Sequence, residues 1–219
     1  MKRIPLGCQS VDDLLGGGVE SGSLTLIYGV AGTGKTNICL QMAYNVLKEG
    51  KKVALIDTEG ISYDRVAQIF GGEELLKNLL VFQVHSFEEQ SDRVTKVSRM
   101  AEARGALGLI IVDSLTGFYR LSHDDPLARS DFIRQAELLT ETARKSEVPV
   151  IVTSQVYSNI LNGGIEFLGG HTLRHNAKTI IRLEPRGNGV RSAVIVKHRS
   201  LPEGRCAAYR IGENGITDV

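Results

Sequence analysis

Short runs of apolar residues alternate along this chain with longer stretches whose apolar positions recur every three or four residues. The short runs are continuous and rich in β-branched side chains, as in a strand covered on both faces. Leu24 to Tyr28, Val53 to Ile56, Leu79 to Val84, Leu109 to Val112 and Val148 to Val152 fit that pattern. Between them, helical spacing aligns Ile38, Met42 and Val46 on one face, then Val94, Val97 and Ala101, then Phe132, Ala136, Leu139 and Ala143. Ser130 is the expected cap of the last of these helices. Strands and helices in turn imply parallel pairing through right-handed crossovers, hence an α/β fold with helices on both faces of a mostly parallel sheet.

The period changes after about residue 178. Thr179 to Leu183 and Ser192 to Val196 flank Pro185-Arg186-Gly187-Asn188-Gly189, which predicts an antiparallel hairpin. Cys206 to Ile211 predicts a further strand that ends at Gly212 to Gly215. No low-complexity linker or internal repeat interrupts the chain, so one domain over residues 1–219 is expected.

Composition narrows this picture. With 42% hydrophobic and 23% charged residues, neither a disordered nor a fibrous chain is indicated. No apolar run approaches the roughly 20 residues of a membrane-spanning helix, and Met1 to Pro5 lead into no apolar segment of a secretion signal. Cys8, Cys39 and Cys206 lack the spacing of a metal site or disulfide framework. A soluble cytoplasmic protein is therefore expected. The net charge of +1 is small but unevenly placed. From Arg174 to Arg210 basic residues far outnumber the acidic pair Glu184 and Glu203, and the rest of the chain is net acidic. Such asymmetry suits either a polyanion-facing side or a set of solvated strand faces.

The clearest chemistry lies after the first strand. Gly29-Val30-Ala31-Gly32-Thr33-Gly34-Lys35-Thr36 fits G-x-x-x-x-G-K-[ST], with an apolar strand before it and a helix after it. The glycines let backbone N–H groups turn toward phosphates, and the helix start adds its positive dipole end. Lys35 is placed to neutralise the β- and γ-phosphates of ATP, and the Thr36 hydroxyl to ligate Mg²⁺. In a parallel sheet, ligands lie at the carboxyl ends of the strands. Here those ends carry Gly29, Asp57-Thr58-Glu59, Asp113 and Ser154-Gln155. Asp113 is the candidate to hold Mg²⁺ through water, Glu59 to orient or deprotonate an attacking water, and Gln155 to sense the γ-phosphate. Either carboxylate alone reads equally well as a turn former; convergence of the strand ends favours the site.

Together these residues resemble the RecA-like ATPases, specifically the archaeal and eukaryotic strand-exchange recombinases. The similarity runs over nearly the whole chain: Leu14-Leu15-Gly16-Gly17-Gly18-Val19, the P-loop, Asp57-Thr58-Glu59-Gly60, Ile111-Val112-Asp113-Ser114, Thr153-Ser154-Gln155-Val156, Gly169-Gly170 and Leu201-Pro202-Glu203. The resemblance implies that Glu59 is the catalytic carboxylate and that Arg65 stacks on adenine. It also implies that the segments after Asp113-Ser114 and Gln155 are DNA-binding loops. Lys197 and Arg199, one residue apart on a strand and so on one face, match cations that reach a neighbour's ATP in RecA-like assemblies; the alternative is exposed strand cations. Too few residues precede Gly29 for the recombinases' helical N-terminal domain and polymerisation linker, and their F-x-x-A assembly motif occurs nowhere in the chain. The pattern is similar to that of the short archaeal paralogues of the recombinase RadA. That implies an accessory role in homologous recombination, with ATP and DNA binding, weak ATPase activity and little strand exchange. The implied partners are a RadA-type recombinase and a Holliday-junction resolvase.

The DNA-facing residues are less sharply marked. Phe118 and Tyr119 either stack on single-stranded DNA or, the favoured reading, pack the loop base, leaving Arg120, with Arg129 behind it, as the better phosphate contacts. Tyr157 opens a nearly uncharged second loop that either stacks a base or only connects. Arg174, His175 and Lys178 belong to an expected helix whose basic side faces DNA or solvent; His171 and His175 alone make no metal site. Two other readings share the P-loop: a KaiC-like ATPase acting as a protein-directed switch without DNA, and, more weakly, a hexameric helicase. Val194 to Pro202 resembles the recombinases rather than the KaiC-like group.

Overall fold

The computed structural model describes residues 2–103, 106–158 and 165–219. Its elements in chain order are β1 (Arg3–Ile4), α1 (Gln9–Leu14), β2 (Val19–Glu20), β3 (Leu24–Gly29), α2 (Lys35–Lys48), β4 (Val53–Asp57), α3 (Tyr63–Phe70), β5 (Leu79–Gln83), α4 (Phe87–Glu102) and β6 (Leu109–Asp113). There follow α5 (Pro126–Ser146), β7 (Val150–Ser154), β8 (Val156–Ser158), β9 (Ile165–Phe167), α6 (Gly170–Asn176), β10 (Thr179–Gly187), β11 (Val190–Lys197), β12 (Cys206–Gly212) and β13 (Gly215–Thr217).

The described residues build a nine-stranded sheet in the order β13-β12-β11-β10-β3-β7-β6-β4-β5. From β10 to β5 every neighbouring pair runs parallel. β11, β12 and β13 then fold back antiparallel as the C-terminal hairpins. The central strands are largely apolar, yet β4 and β6 still sort their side chains by alternation. Val53, Leu55, Leu109 and Ile111 face a core shared with α2 and α3, whereas Ala54, Ile56, Ile110 and Val112 face α4, α5 and α6. Every residue predicted for the inner faces of α2, α4 and α5 is buried.

Three details differ from expectation. The strand placed at Val148 to Val152 lies at Val150–Ser154, because Val148 and Pro149 belong to its approach. The helix assigned a Ser130 cap begins a turn earlier: Asp125 Oδ1 accepts from Leu127 N at 3.0 Å and Pro126 occupies the first turn, where its missing N–H is harmless. The strand at Thr179 pairs with β3 in parallel, so the change of period at residue 178 precedes the antiparallel part by one strand.

Candidate functional site

β3 delivers the chain into a turn that wraps a cavity of about 390 Å³ at the carboxyl edge of the sheet. Gly34 opens α2 with φ of 100°, a left-handed conformation that glycine adopts without strain. Gly29 is needed for a different reason: a Cβ there would come within 2.5 Å of the Leu183 carbonyl oxygen on β10. Val30, Ala31, Gly32 and Thr33 complete the turn, with the Thr33 hydroxyl donating to Val30 O at 2.8 Å. Lys35 Nζ bridges the mouth of the loop, donating to Gly29 O at 2.8 Å and Val30 O at 3.3 Å. An ammonium has three donors, so one remains for a further acceptor.

Beneath the loop, the Thr36 hydroxyl donates to Asp113 Oδ2 at 2.6 Å. The second carboxylate oxygen accepts the Thr153 hydroxyl. Asp113 is 1% exposed, and this burial pushes its carboxyl up from the ordinary range, opposed by the bonds from Thr153 and Thr36. A hydroxyl and a carboxylate set side by side below a phosphate-binding turn form a hard oxygen donor set that fits Mg²⁺.

Opposite Lys35, Gln155 Nε2 donates to Glu59 Oε1 at 2.8 Å, and both residues line the cavity. The turn carrying Glu59 is held by Asp57, whose carboxylate accepts from Glu59 N, Gly60 N and Ile61 N at 3.1, 2.9 and 2.8 Å. Thr58 ties the end of β4 to β6 through Ser114 O and Ser114 N. Gln155 N donates to Thr116 Oγ1 at 3.1 Å, so the glutamine is fixed to the start of the first loop. Arg65 lies at the rim. Its guanidinium donates to Asn37 Oδ1, Gln68 Oε1, Glu213 O and Gly212 O, all within 2.8 Å.

The structure thus brings the P-loop, Asp113, Glu59, Gln155 and Arg65 to one edge. Sequence reasoning missed Asp57 as the clamp of the Glu59 turn, Thr153 as the partner of Asp113, and Asn37 as the partner of Arg65. Asp57 and Thr153 were visible as polar ends of apolar runs; nothing local marked Asn37.

The remaining candidates are dispersed. Tyr119 is 8% exposed and stacks on Phe132 at 4.1 Å, the packing role expected of it, while Arg120 and Arg129 are exposed. Tyr157 is 45% exposed and its hydroxyl donates to Glu166 Oε2 at 3.1 Å across the β8–β9 hairpin; residues 159–164 of that loop lie outside the described residues. Arg174 sits 5.7 Å from the centre of the Phe167 ring, and Arg174, His175 and Lys178 are exposed. Among the described residues no group of three or more His, Cys, Asp and Glu is arranged to hold a metal ion. Lys197 and Arg199 do not share a face. β11 ends at Lys197, so strand alternation stops before Arg199. Lys197 Nζ donates to Arg174 O and Ala177 O at 2.6 and 2.7 Å, whereas Arg199 Nε pairs with Glu20 Oε2 at 2.7 Å.

The Rad51 family profile matches residues 1–219. The DNA repair and recombination protein RadB of Methanococcoides burtonii is 44% identical over 215 residues, 95% of each chain. The protein of the same name from Archaeoglobus fulgidus is 41% identical over 217 residues, 97% of each chain. The crystal structure of the RadB recombinase superposes with a TM-score of 0.85 at 36% identity, covering 99% of both chains. Among the described residues no helix is long and apolar enough to cross a membrane. The chain belongs to the Rad51 family, among the DNA repair and recombination proteins called RadB.

Proposed function

We propose that this chain binds ATP with Mg²⁺ at the P-loop and acts as a DNA-binding accessory factor of homologous recombination, with weak hydrolysis and little strand exchange of its own. The observation that carries the reading is the Thr36–Asp113 pair at 2.6 Å beneath Lys35, facing the Glu59–Gln155 pair at 2.8 Å across the same cavity. The turn from Gly29 to Thr36 offers backbone N–H groups and Lys35 to the phosphates, while Thr36, and Asp113 through water, would hold Mg²⁺. The metal, when bound, neutralises charge on the phosphate oxygens. Glu59 orients a water molecule and takes its proton, and the flat face of Arg65 stacks on the base. Gln155, bonded to both Glu59 and Thr116, links the cleft to the first loop.

Arg120, Arg129, Tyr157, Arg174 and His175 supply the cations and ring through which DNA would be held, with Lys178 the sequence candidate furthest from the loops. A RadA-type recombinase is the expected protein partner and a Holliday-junction resolvase a further one, in the cytoplasm at the nucleoid. The test is a titration of single-stranded DNA at several salt concentrations, with and without ATP and Mg²⁺, using Lys35→Ala as control. Binding that weakens steeply with salt, and whose affinity changes with ATP in the parent but not in Lys35→Ala, is the expected outcome. No binding at low salt in either nucleotide state would turn the reading toward a KaiC-like, protein-directed switch.

A further inference from the structure

β11 and β12 lie beyond β10 at the antiparallel end of the sheet, yet both send side chains back to the P-loop. Tyr209, in the middle of β12 and 0% exposed, donates its O–H to Thr33 O at 2.7 Å. Arg191, near the start of β11, donates Nε to Gly32 O at 2.9 Å and Nη1 to Gly189 O at 2.8 Å, which joins the β10–β11 turn to the same loop. Ile211 of β12 packs below: a Cβ on Gly34 would meet its Cδ1 at 3.0 Å. A residue that only filled this place in the core would need the ring of Tyr209 and not its hydroxyl. The hydroxyl reaches outside its own pair of strands to a carbonyl of the turn.

The peptide plane gives that contact a consequence. In a trans peptide, C=O and the following N–H point in opposite directions. Holding Thr33 C=O from the side of the sheet therefore turns Gly34 N–H the other way, and Gly34 lines the cavity. Holding Gly32 C=O leaves Thr33 N–H directed inward to Val30 O, at 3.4 Å, so Arg191 closes the turn on itself. We propose that Tyr209 and Arg191 are positioning residues for the phosphate cradle: from the antiparallel strands, Tyr209 fixes the Thr33–Gly34 peptide that aims Gly34 N–H at a nucleoside di- or triphosphate, and Arg191 fixes the Gly32–Thr33 peptide that closes the turn. The proposal rests on the reading of the cleft as a nucleotide site. It gives the C-terminal hairpins a part in that site although they contribute no group that touches the phosphates through a side chain.

The test uses the full chain with Tyr209→Phe, which keeps the ring, and Arg191→Ala, at a partly exposed position, beside Arg191→Lys. Dissociation constants for ATP and ADP with Mg²⁺ are measured by calorimetry at a temperature where circular dichroism shows every variant fully folded. Under those conditions a change in affinity reports the loop and not the fraction folded. Tyr209→Phe is expected to weaken both nucleotides about tenfold, as for a buried acceptor deprived of its donor. Arg191→Ala is expected to weaken them several-fold, with part of the loss recovered in Arg191→Lys. The KM for ATP should rise while turnover at saturating ATP stays unchanged, because neither residue touches Glu59 or Asp113. Parent-like nucleotide affinity in both Tyr209→Phe and Arg191→Ala, with Lys35→Ala binding none, would overturn this inference alone. Absence of nucleotide binding in the parent would overturn the reading of the cleft and this inference with it.

Discussion

Asp218 joins the end of the chain to its beginning. Its carboxylate accepts from Ser10 N at 2.8 Å and Gln9 N at 3.2 Å, at the start of α1, and from the thiol of Cys8 at 3.3 Å. The bonds from Ser10 dominate and pull its pKa from the ordinary aspartate value of about 3.9 down to about 2. Because the folded state prefers the ionised form, the stabilisation is complete above the unfolded value and is lost as pH falls through the folded one. Asp218→Asn should therefore melt at a lower temperature than the parent at neutral pH. The two melting curves should converge as pH is lowered toward about 2; an offset that persists there would mean that the contact acts by shape and not by charge. How far such residues were legible depended on whether their partners were local. Lys35 and Thr36 announced themselves because a phosphate turn is written in consecutive residues. Asp113, Glu59 and Gln155 followed from their places at the ends of apolar runs. Arg65 carried no local sign of its partners, which lie at Asn37, Gly212 and Glu213 on other elements. The bond from Tyr209 to Thr33 spans 176 positions and leaves no periodic trace in the sequence.

Among the elements, the longer strands and helices were found, whereas several short ones went unseen, as did α3 with its eight residues. β1 and β2 have two residues each, and α1 has six, too short for either a strand alternation or two helical turns to register. β8 and β9 pair with one another outside the main sheet, where no continuous apolar run is required. The expected shared face of Lys197 and Arg199 fails for a local reason: β11 ends at Lys197, so only the lysine lies on the strand. The lysine instead caps α6 from a different element, donating to Arg174 O and Ala177 O near the end of the helix, where carbonyls lack intrahelical partners. A cation at that place also meets the negative end of the helix dipole. Burial, with Lys178 and Arg174 nearby, holds its pKa below the usual lysine value. Lys197→Ala should cost about 1 kcal/mol of stability, by loss of charged hydrogen bonds to the last carbonyls of α6, and urea unfolding would read this as a lower midpoint with an unchanged slope. Unchanged stability together with lost ATP turnover would instead return Lys197 to a role at a neighbour's nucleotide.

At the scale of the whole molecule, the direction of the sheet decides which cations can serve one DNA strand. The parallel strands put the nucleotide cleft, the loop after β6 and the hairpin after β7 at one edge. α6 then carries the chain back: Leu168 N bonds to Gln155 O beside the cleft, and Lys178 N bonds to Leu24 O, at the first residue of β3. β3 has six residues, so these two points are separated by roughly 17–20 Å at about 3.3 Å per residue. The charge asymmetry seen in the sequence thus overstates any single basic face. Arg182 pairs with Glu184 at 2.7 Å, Arg199 with Glu20, and Arg191 and Lys197 are committed to backbone carbonyls. Arg174 remains exposed over Phe167, in the strand that leads out of the second loop, whereas Lys178 stands at the opposite edge. If single-stranded DNA is held along the loops, Arg174 contributes a phosphate contact and Lys178 does not. Each phosphate contact on a single strand adds about −0.7 to the slope of log affinity against log salt concentration. Arg174→Ala should reduce the magnitude of the slope by about that amount, and Lys178→Ala should leave it as in the parent. A slope that falls equally in both variants would mean that the strand runs the length of α6 from one edge of the sheet to the other. A slope that changes in neither, but falls in Arg120→Ala, would confine the DNA to the first loop.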